Sequence, residues 1–392
     1  MWASSVSDKS SGRLVPTVDG QTAFVPADLP AKLAWTVELV VALSDATFSL
    51  GQLRGVGLNI PNPNLLITPF TRLEAEMSSR IEGTQAEVKD IYLFEMREAG
   101  TRPEVPDVRE VSNYVRALDH GLNRCTELPV CLRMIRELHA KLLDGVRGEG
   151  DRPGEFRTDQ NWIGSRDCAI TQARYVPPPP EQLGGCLDAF EKFINAPLGE
   201  LPVPVWLAMV HYQFEAIHPF HDGNGRIGRL LMILLLCSKG VLDKPLLYLS
   251  AYFERNREKY YERLLRVSTH GEWAEWISFF LRGVTEQSKD AFERSRQLLE
   301  LQRRYHTMVE VRRSALQIKL IDLLIERPVV NVASISKRFD VTYVTARNNV
   351  ATLVRAGILK EVTGRKRYRI YIAEEVLKVI NKPFDVSHSS NG

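Results

Sequence analysis

Residues 218–229 read HPFHDGNGRIGR, and this stretch decides both what the surrounding chain must build and what it can do. Gly223, Asn224 and Gly225 leave the backbone free to take dihedrals closed to bulkier residues. The N–H groups of such a turn, standing just ahead of a helix, make a cradle for an anion, and the helix adds the positive end of its dipole. A helix is expected there because Arg229 is followed by an apolar run, 230–237. Arg226 and Arg229 are three residues apart, so on a helix they share a face and can fork onto phosphate oxygens. Asp222 offers a hard oxygen suited to Mg²⁺, which keeps waters and binds phosphates through one or two carboxylates. His218 can take up a proton near neutral pH. Phosphate cradle, metal carboxylate and base, all within one short stretch, point to phosphoryl or nucleotidyl transfer. A GNG turn alone is common, His221 reads equally as an exposed loop residue, and paired arginines are often a solvated face. The combination carries the reading.

Outward from this loop the pattern is helical. Residues 1–30 are rich in Ser, Asp, Gly and Pro and read as a flexible lead-in. Residues 31–56 carry apolar residues at helical spacing, with a break at the GQLRGVG stretch, 51–57. Thr68 and Pro69 open a second helix, TPFTRLEAEMSSRIEGTQ, since Thr caps well and Pro suits the first helical position; Gly83 ends or bends it. Further helical patterns fill 84–150, and helices return over 181–288. Between them, 151–176 mixes turn residues with the β-formers Trp162, Ile163, Ile170 and Val176, which predicts a short hairpin or extended flap. Pro177, Pro178, Pro179 and Pro180 form a stiff stop after it.

The last segment has its own layout. Helices are predicted near 314–326, 332–339 and 342–356, ended by Gly357, and the alternating ILKEV and RYRIYI flank Thr363 and Gly364. That is the plan of a winged helix-turn-helix. Residues 287–311 are expected to join it to the body as a helix. Lys360, Arg365, Lys366, Arg367 and Arg369, against Glu361 alone, fall on the wing. Thr342, Thr345, Arg347, Asn348 and Arg355 fall on the recognition helix; such residues touch phosphates and base edges. The alternative is a dimerisation or docking module whose charges are merely solvated.

Composition narrows the class without choosing a function. Hydrophobic residues are 44% and charged residues 25% of the chain, ordinary for a globular protein. A net charge of +3, from 51 basic and 48 acidic residues, argues neither for nor against nucleic acid. The five cysteines make no CxxC pair and no metal grid, so reduced thiols are expected. There is no apolar run of signal-peptide type at the start, and the longest apolar stretch falls short of the roughly 20 residues of a membrane span. A cytoplasmic protein with no membrane partner is expected.

HPFHDGNGRIGR matches, at each specified position, the Fic-family signature H-x-F-x-[D/E]-G-N-G-R-x-x-R. The stretches GEFRTDQNWIG, YVPPPPE and YLSAYFERNREKYYERL also resemble Fic proteins, so the resemblance covers about residues 20–285. With the winged helix, the chain resembles the longer bacterial members. The resemblance implies a mainly α fold: a helical Fic core with a small β-hairpin flap, plus a C-terminal winged helix-turn-helix domain. The expected domains are a lead-in (1–30), an N-terminal helical region with an inhibitory helix (31–110), the Fic catalytic domain (111–285), a helical linker (286–312) and the winged helix (313–392).

The resemblance also implies an activity, transfer of AMP from ATP to a protein hydroxyl, and Gly225 favours it, since the related Doc toxins carry Lys there. His218 would be the general base, Phe220 a core anchor, and Asp222 the ligand of Mg²⁺. Gly223, Asn224 and Gly225 would cradle the phosphates, with Ile227 and Gly228 in the same ATP-binding turn. Arg226 would stabilise the departing pyrophosphate and Arg229 would hold the γ-phosphate. Asn256, Tyr260 and Tyr261 would border the adenine or ribose, although tyrosines at this spacing are also commonly core. The flap residues Asn161, Trp162, Ile163 and Gly164 would accept the target backbone as an added strand, with Ile163 as clamp.

SSRIEG, 78–83, fits the family's inhibitory signature [S/T]-x-x-x-E-[G/N]. Ser78 and Glu82 are four apart and share a helix face, with Gly83 closing the motif. The resemblance implies that Glu82 pairs with Arg229 and occupies the group the γ-phosphate needs. The same Glu82 could instead orient a water that removes AMP. Two other readings stay open: auto-modification, and a winged-helix DNA-binding regulator whose Fic domain only senses nucleotide. A homodimer is also open.

Overall fold

The computed structural model describes residues 2–60, 62–96, 106–150, 152–165, 168–309, 315–365 and 367–383, except the side chains of Trp2 and Asn59. Ser314 and Lys366, placed above on the first C-terminal helix and on the wing, lie outside the described residues. The chain opens with two antiparallel strands, β1 (Gly12–Pro16) and β2 (Thr22–Pro26). A row of helices follows: α1 (Val37–Asn59), α2 (Asn64–Ile81), α3 (Val88–Glu95), α4 (Pro106–Arg124), α5 (Leu132–Leu142), α6 (Pro180–Asn195), α7 (Val203–Ile217), α8 (Asn224–Ser238), α9 (Ser250–Arg255), α10 (Arg257–His270) and α11 (Trp273–Met308). The C-terminal module is α12 (Ala315–Glu326), β3 (Val329–Asn331), α13 (Val332–Phe339), α14 (Tyr343–Arg355), β4 (Lys360–Glu361), β5 (Ile370–Ile372) and α15 (Glu374–Ile380). Its sheet has the order β3-β5-β4, all antiparallel. The structure is thus mainly helical, with a winged helix-turn-helix at its end.

Helices α7 and α8 form the centre. Almost every α7 side chain is buried, and Leu230, Leu231 and Leu234 of α8 are as deep. A helix apolar on all sides belongs inside. Residues 218–223 connect these two helices and 224–229 form the first turns of α8, so the deepest part of the core presents this stretch.

Three expectations need correction. Residues 1–30 are not a loose lead-in. The β1–β2 hairpin docks on the core: Phe24 is fully buried against Tyr175, its N–H donates to the Val176 carbonyl (2.9 Å), and Gln213 donates to the Ala27 carbonyl (3.1 Å). The strand alternation is too short to outweigh the polar composition when read alone. The GQLRGVG stretch does not break α1, which runs through it to Asn59. Its glycines cost helix stability in isolation, but α1 lies along α11, and Gly57 sits close enough to α8–α9 loop residues that a Cβ would meet Leu246 at 3.3 Å. Finally, α2 starts at Asn64, and Pro69 lies inside it. Asn62 caps the start by accepting from the Asn64 N–H (3.2 Å).

The predicted linker is the second half of α11, whose first half packs in the core; residues 310–312 lie outside the described residues. The module beyond is docked firmly. Arg294 donates to the carbonyls of Val379 (2.7 Å) and Ile380 (2.8 Å), Tyr92 donates to the Glu326 carbonyl (3.2 Å), and Arg327 pairs with Glu95 (3.1 Å).

Candidate active site

His218 caps the C-terminus of α7 in the left-handed region (φ 48°, ψ 62°). A residue with a Cβ resists that conformation, and three bonds hold it there. The His218 N–H donates to the Phe214 carbonyl (3.0 Å). Arg157 Nε donates to the His218 carbonyl (3.0 Å), and the Arg157 N–H to the Pro219 carbonyl (3.0 Å). The remaining Arg157 donors reach the carbonyls of Asp159 (3.2 Å), Pro178 (2.5 Å) and Ile217 (3.4 Å). Arg157 is buried, which lowers it to about 10, still cationic at neutral pH. Burial, reinforced by Arg157, lowers His218 to about 4, against the pull of the Glu215 carbonyl, Glu82 and Asp222. The imidazole is therefore neutral at pH 7 and free to accept a proton.

Below His218 the loop is braced on itself. Asn224 donates to the Phe220 carbonyl (2.7 Å) and accepts from the Phe220 N–H (2.9 Å), which closes 220–224 into a ring around the buried Phe220. Asn161 of the flap donates to the same carbonyl (2.9 Å). Gly223, at φ 78°, makes the N-terminal turn of α8. Asp222 Oδ1 accepts from the Gly223 N–H (2.6 Å) and lies 3.4 Å from Arg226 Nη2. Among the described residues no donor reaches Oδ2, and the side chain is 35% exposed. One internally oriented carboxylate with one outward oxygen fits a Mg²⁺ that completes its shell with waters and phosphate oxygens. No group of three or more His, Cys, Asp and Glu among the described residues could cage a metal.

The two loop arginines are fully buried and held by different acids. Arg226 lies 3.5 Å from Glu110 of α4, which also accepts from Thr84 (2.9 Å). Arg229 reaches α2. Its Nε donates to Ser78 Oγ (2.9 Å), and Nη2 donates to the Ser78 carbonyl (2.9 Å) and to Glu82 Oε1 (2.7 Å). Ser78 is in the last turn of α2, where carbonyls lack intrahelical partners, so Arg229 caps this helix. Gly83, at φ 98°, turns the chain away. Nη1 of Arg229 is buried without a partner and faces Gly225, where a Cβ would collide with Glu82 Oε1. The residue that keeps the cradle open also gives the Glu82 carboxylate its room.

The remaining predicted residues fall in different places. Ile227 is core, and Gly228 packs over Glu215 and Phe214. Tyr260 does not line an open surface: it is fully buried, stacked on Phe253 (4.5 Å) and bonded to His211 (2.8 Å). Tyr261 and Asn256 are half-buried, and Asn256 donates to the Tyr252 carbonyl (2.9 Å). In the flap, Ile163 pairs with Tyr175 in a single bridge: its N–H donates to the Tyr175 carbonyl (2.8 Å), and its carbonyl accepts from the N–H groups of Arg174 (2.8 Å) and Tyr175 (3.2 Å). The flap is extended with one bridge, followed by a short 3₁₀ turn over Ile170–Gln172, and no longer hairpin forms among the described residues. Trp162 is 40% exposed. His221 pairs with Asp159 of the flap (2.9 Å).

A helical scaffold thus holds a histidine, an acidic oxygen and two arginines around a glycine turn at a helix N-terminus. The chain carries Fic/DOC family domains followed by a helix-turn-helix domain. Residues 40–123 match the Fic/DOC family N-terminal model, 129–236 the Fic/DOC family model, and 318–371 an HTH DNA binding domain. The chain is 34% identical over 167 residues to the protein adenylyltransferase Fic of Aedes aegypti, a match over 42% of this chain and 29% of that protein. To the Drosophila willistoni protein of that name it is 32% identical over 170 residues, 42% of this chain and 30% of the relative. The match thus spans less than a third of these relatives. A Fic family protein of Desulfovibrio desulfuricans G20 shares the fold over 88% of this chain and 98% of its own, with TM-score 0.54 and 16% identity. A Fic domain containing signaling protein of Bacteroides thetaiotaomicron VPI-5482 shares it over 64% and 95%, with TM-score 0.50 and 19% identity.

Proposed function

We propose that this protein moves AMP from ATP onto a Ser, Thr or Tyr hydroxyl of a protein, and that Glu82 restrains it. The observation that carries the reading is the Arg229 fork onto Ser78 and Glu82, beside a neutral His218. The relatives' name, protein adenylyltransferase, supports the reaction class.

In this reading ATP lies with its phosphates over the 223–225 turn. His218 Nε2 accepts the proton of the target hydroxyl as its oxygen attacks the α-phosphorus. The new O–P bond forms as the bond to the bridging oxygen of the β-phosphate breaks, and pyrophosphate leaves. Arg226 and Arg229 meet the charge that builds on it, and the N-terminus of α8 adds its dipole. Asp222 would hold Mg²⁺, which when bound supplies charge neutralisation at the phosphates. The target would lie along the flap, with Trp162 and Gly164 offering the main-chain groups, since those of Ile163 are spent internally. Most of the rate comes from holding these groups ready.

While Glu82 is seated, Arg229 faces a carboxylate instead of a γ-phosphate. A triphosphate that binds beside it is displaced, and the α-phosphorus is not in line with the hydroxyl. Labelled ATP (α-phosphate), Mg²⁺ and cell lysate test this with wild type, Glu82→Gly and Glu82→Gly/His218→Ala. Label on protein should rise on the order of tenfold or more with Glu82→Gly and fall by at least ~10²-fold in the double variant. Equal labelling by all three sinks the reading. The assay also reports auto-modification, as label on the enzyme.

DNA contact by the C-terminal module is supported by exposure. Thr342, Thr345, Arg347, Asn348 and Arg355 of α14 and Arg365, Arg367 and Arg369 of the wing all face solvent. Duplex binding that weakens steeply with salt is the expected signature.

A further inference from the structure

The geometry points to His139 of α5 as a positioning residue that sets the Asp222 carboxylate for its metal, acting through the Asp222 main chain. The inference rests on the nucleotidyl-transfer reading of this site.

His139 is 1% exposed, so no ligand reaches it. Its ring lies flat on Phe220, with centroids 3.7 Å apart and planes 4° from parallel. The Gly154 N–H donates to Nδ1 (2.8 Å). A nitrogen that accepts carries no hydrogen, so the neutral ring is protonated on Nε2. That Nε2–H lies 3.0 Å from the Asp222 carbonyl and donates to it. The tautomer is dictated by a backbone group at the start of the flap, and its effect is delivered to the metal-binding residue.

Asp222 has little else to fix its orientation. Oδ1 is held by the next N–H in the chain, which moves with it. Arg226 is 3.4 Å away. Among the described residues, the carbonyl bond from His139 ties the Asp222 main chain to a separate helix. On the other side, Gly148 backs the carboxylate: a Cβ there would stand 3.0 Å from Oδ2. His139 therefore does for Asp222 what Arg157 does for His218, and helix α5 and the 152–157 segment reach the loop through these two side chains. Groups that orient a metal-binding residue usually matter to metal affinity by about 10–100-fold.

Two substitutions separate positioning from simple space-filling. Both are made in the full chain carrying Glu82→Gly. His139→Gln keeps an N–H near the place of Nε2 but loses the acceptor for Gly154. His139→Asn keeps an acceptor near Nδ1 but loses the donor to Asp222. Both lose the stack on Phe220. Calorimetric ATP binding across a Mg²⁺ series should leave Gln within about threefold of the parent in the Mg²⁺ required, while Asn needs about tenfold more. Histidine ¹⁵N spectra of the resting protein should show one buried ring protonated on Nε2 only. Equal Mg²⁺ requirements for Gln and Asn, the reverse order, or an Nδ1-protonated ring each overturn the inference. A parent that binds ATP with Mg²⁺ but transfers no AMP removes the proposed reaction and leaves the His139 comparison decisive. A parent that shows no Mg²⁺ dependence overturns both.

Discussion

The catalytic loop and the brake touch the same arginine, yet they are built differently. Within 218–224 the polar main chain is tied by side chains from three directions: Arg157 on His218, Asn161 and Asn224 on Phe220, His139 on Asp222. Arg157, Asn224 and His139 are buried, and Asn161 is half-buried. The proposed brake meets the loop through Arg229, beside Gly225, and its carboxylate, Glu82, keeps 30% of its side-chain surface exposed. Ser78, by contrast, is fully buried in α2. In the proposed reading, the loop geometry is built into the core, and inhibition is a single carboxylate contact added to it.

The strongest way to break this comparison is to loosen the permanent side. Arg157→Lys, made with Glu82→Gly, cannot serve the four carbonyls that the guanidinium reaches, because an ammonium lacks the planar fork. His218 would leave its left-handed position, and a displacement near 1 Å costs about 10²-fold in rate. We expect that loss in kcat, with ATP affinity nearly unchanged. Equal losses in both would mean that Arg157 supports the whole pocket instead of His218.

Next come two graded attacks on the brake. Glu82→Gln in the otherwise native chain keeps an acceptor for Arg229 but removes the charge, which roughly halves such a bond. Transfer should rise about tenfold, less than with Glu82→Gly. Ser78→Ala removes the partner of Arg229 Nε only. The Ser78 carbonyl and Glu82 remain, so the loss is about 1 kcal/mol and the rise about fivefold. If Ser78→Ala releases as much as Glu82→Gly, the brake is the α2 terminus as a whole and not its carboxylate.

The sequence disclosed these two regions unequally. The 218–229 loop was legible in full because its groups are consecutive and each residue type has one obvious chemistry. The Ser78–Glu82 pair was legible as helical spacing, but its partner was named only through family resemblance. His139, Arg157 and Glu110 were invisible as functional residues. His139 is 83 positions from Asp222, Arg157 is 61 from His218 and Glu110 is 116 from Arg226, and nothing in LRMIRELHAKLL or GEFRTDQ marks a side chain aimed at a distant carbonyl. The N-terminal hairpin was missed because its strands are short and its composition polar, and packing of Phe24 under the flap decides it. Tyr260 was read as a possible ligand contact because spacing cannot distinguish a core face from a pocket face.

The smallest predicted effect concerns a second acid beside Arg229. Glu215 of α7 is half-buried, with its Oε1 enclosed under Gly228 and near both Arg229 and Glu82, and desolvation raises it to about 7 against the attraction of Arg229. The folded value exceeds the ordinary carboxylate value of 4.5, so the native state retains a proton that the unfolded chain has lost. Stability must fall as pH rises from about 4.5 to about 7, by up to about 3 kcal/mol from this group. Glu74, also raised to about 7 by burial, adds to the fall. His139, His211 and His218, lowered to about 4, 3 and 4, oppose it at lower pH. The difference between wild type and Glu215→Gln isolates the one group: the variant should lose less melting temperature between pH 5 and pH 8. The same ionisation bears on the brake. While Glu215 is neutral, the Arg229 charge answers Glu82; once ionised, Glu215 shares that charge and repels Glu82. Residual transfer by wild type should then rise a few-fold as pH passes 7, and Glu215→Gln should abolish the rise. Parallel pH curves for the two proteins would show that Glu215 only fills space, and that Glu82 is held against Arg229 without reference to this neighbour.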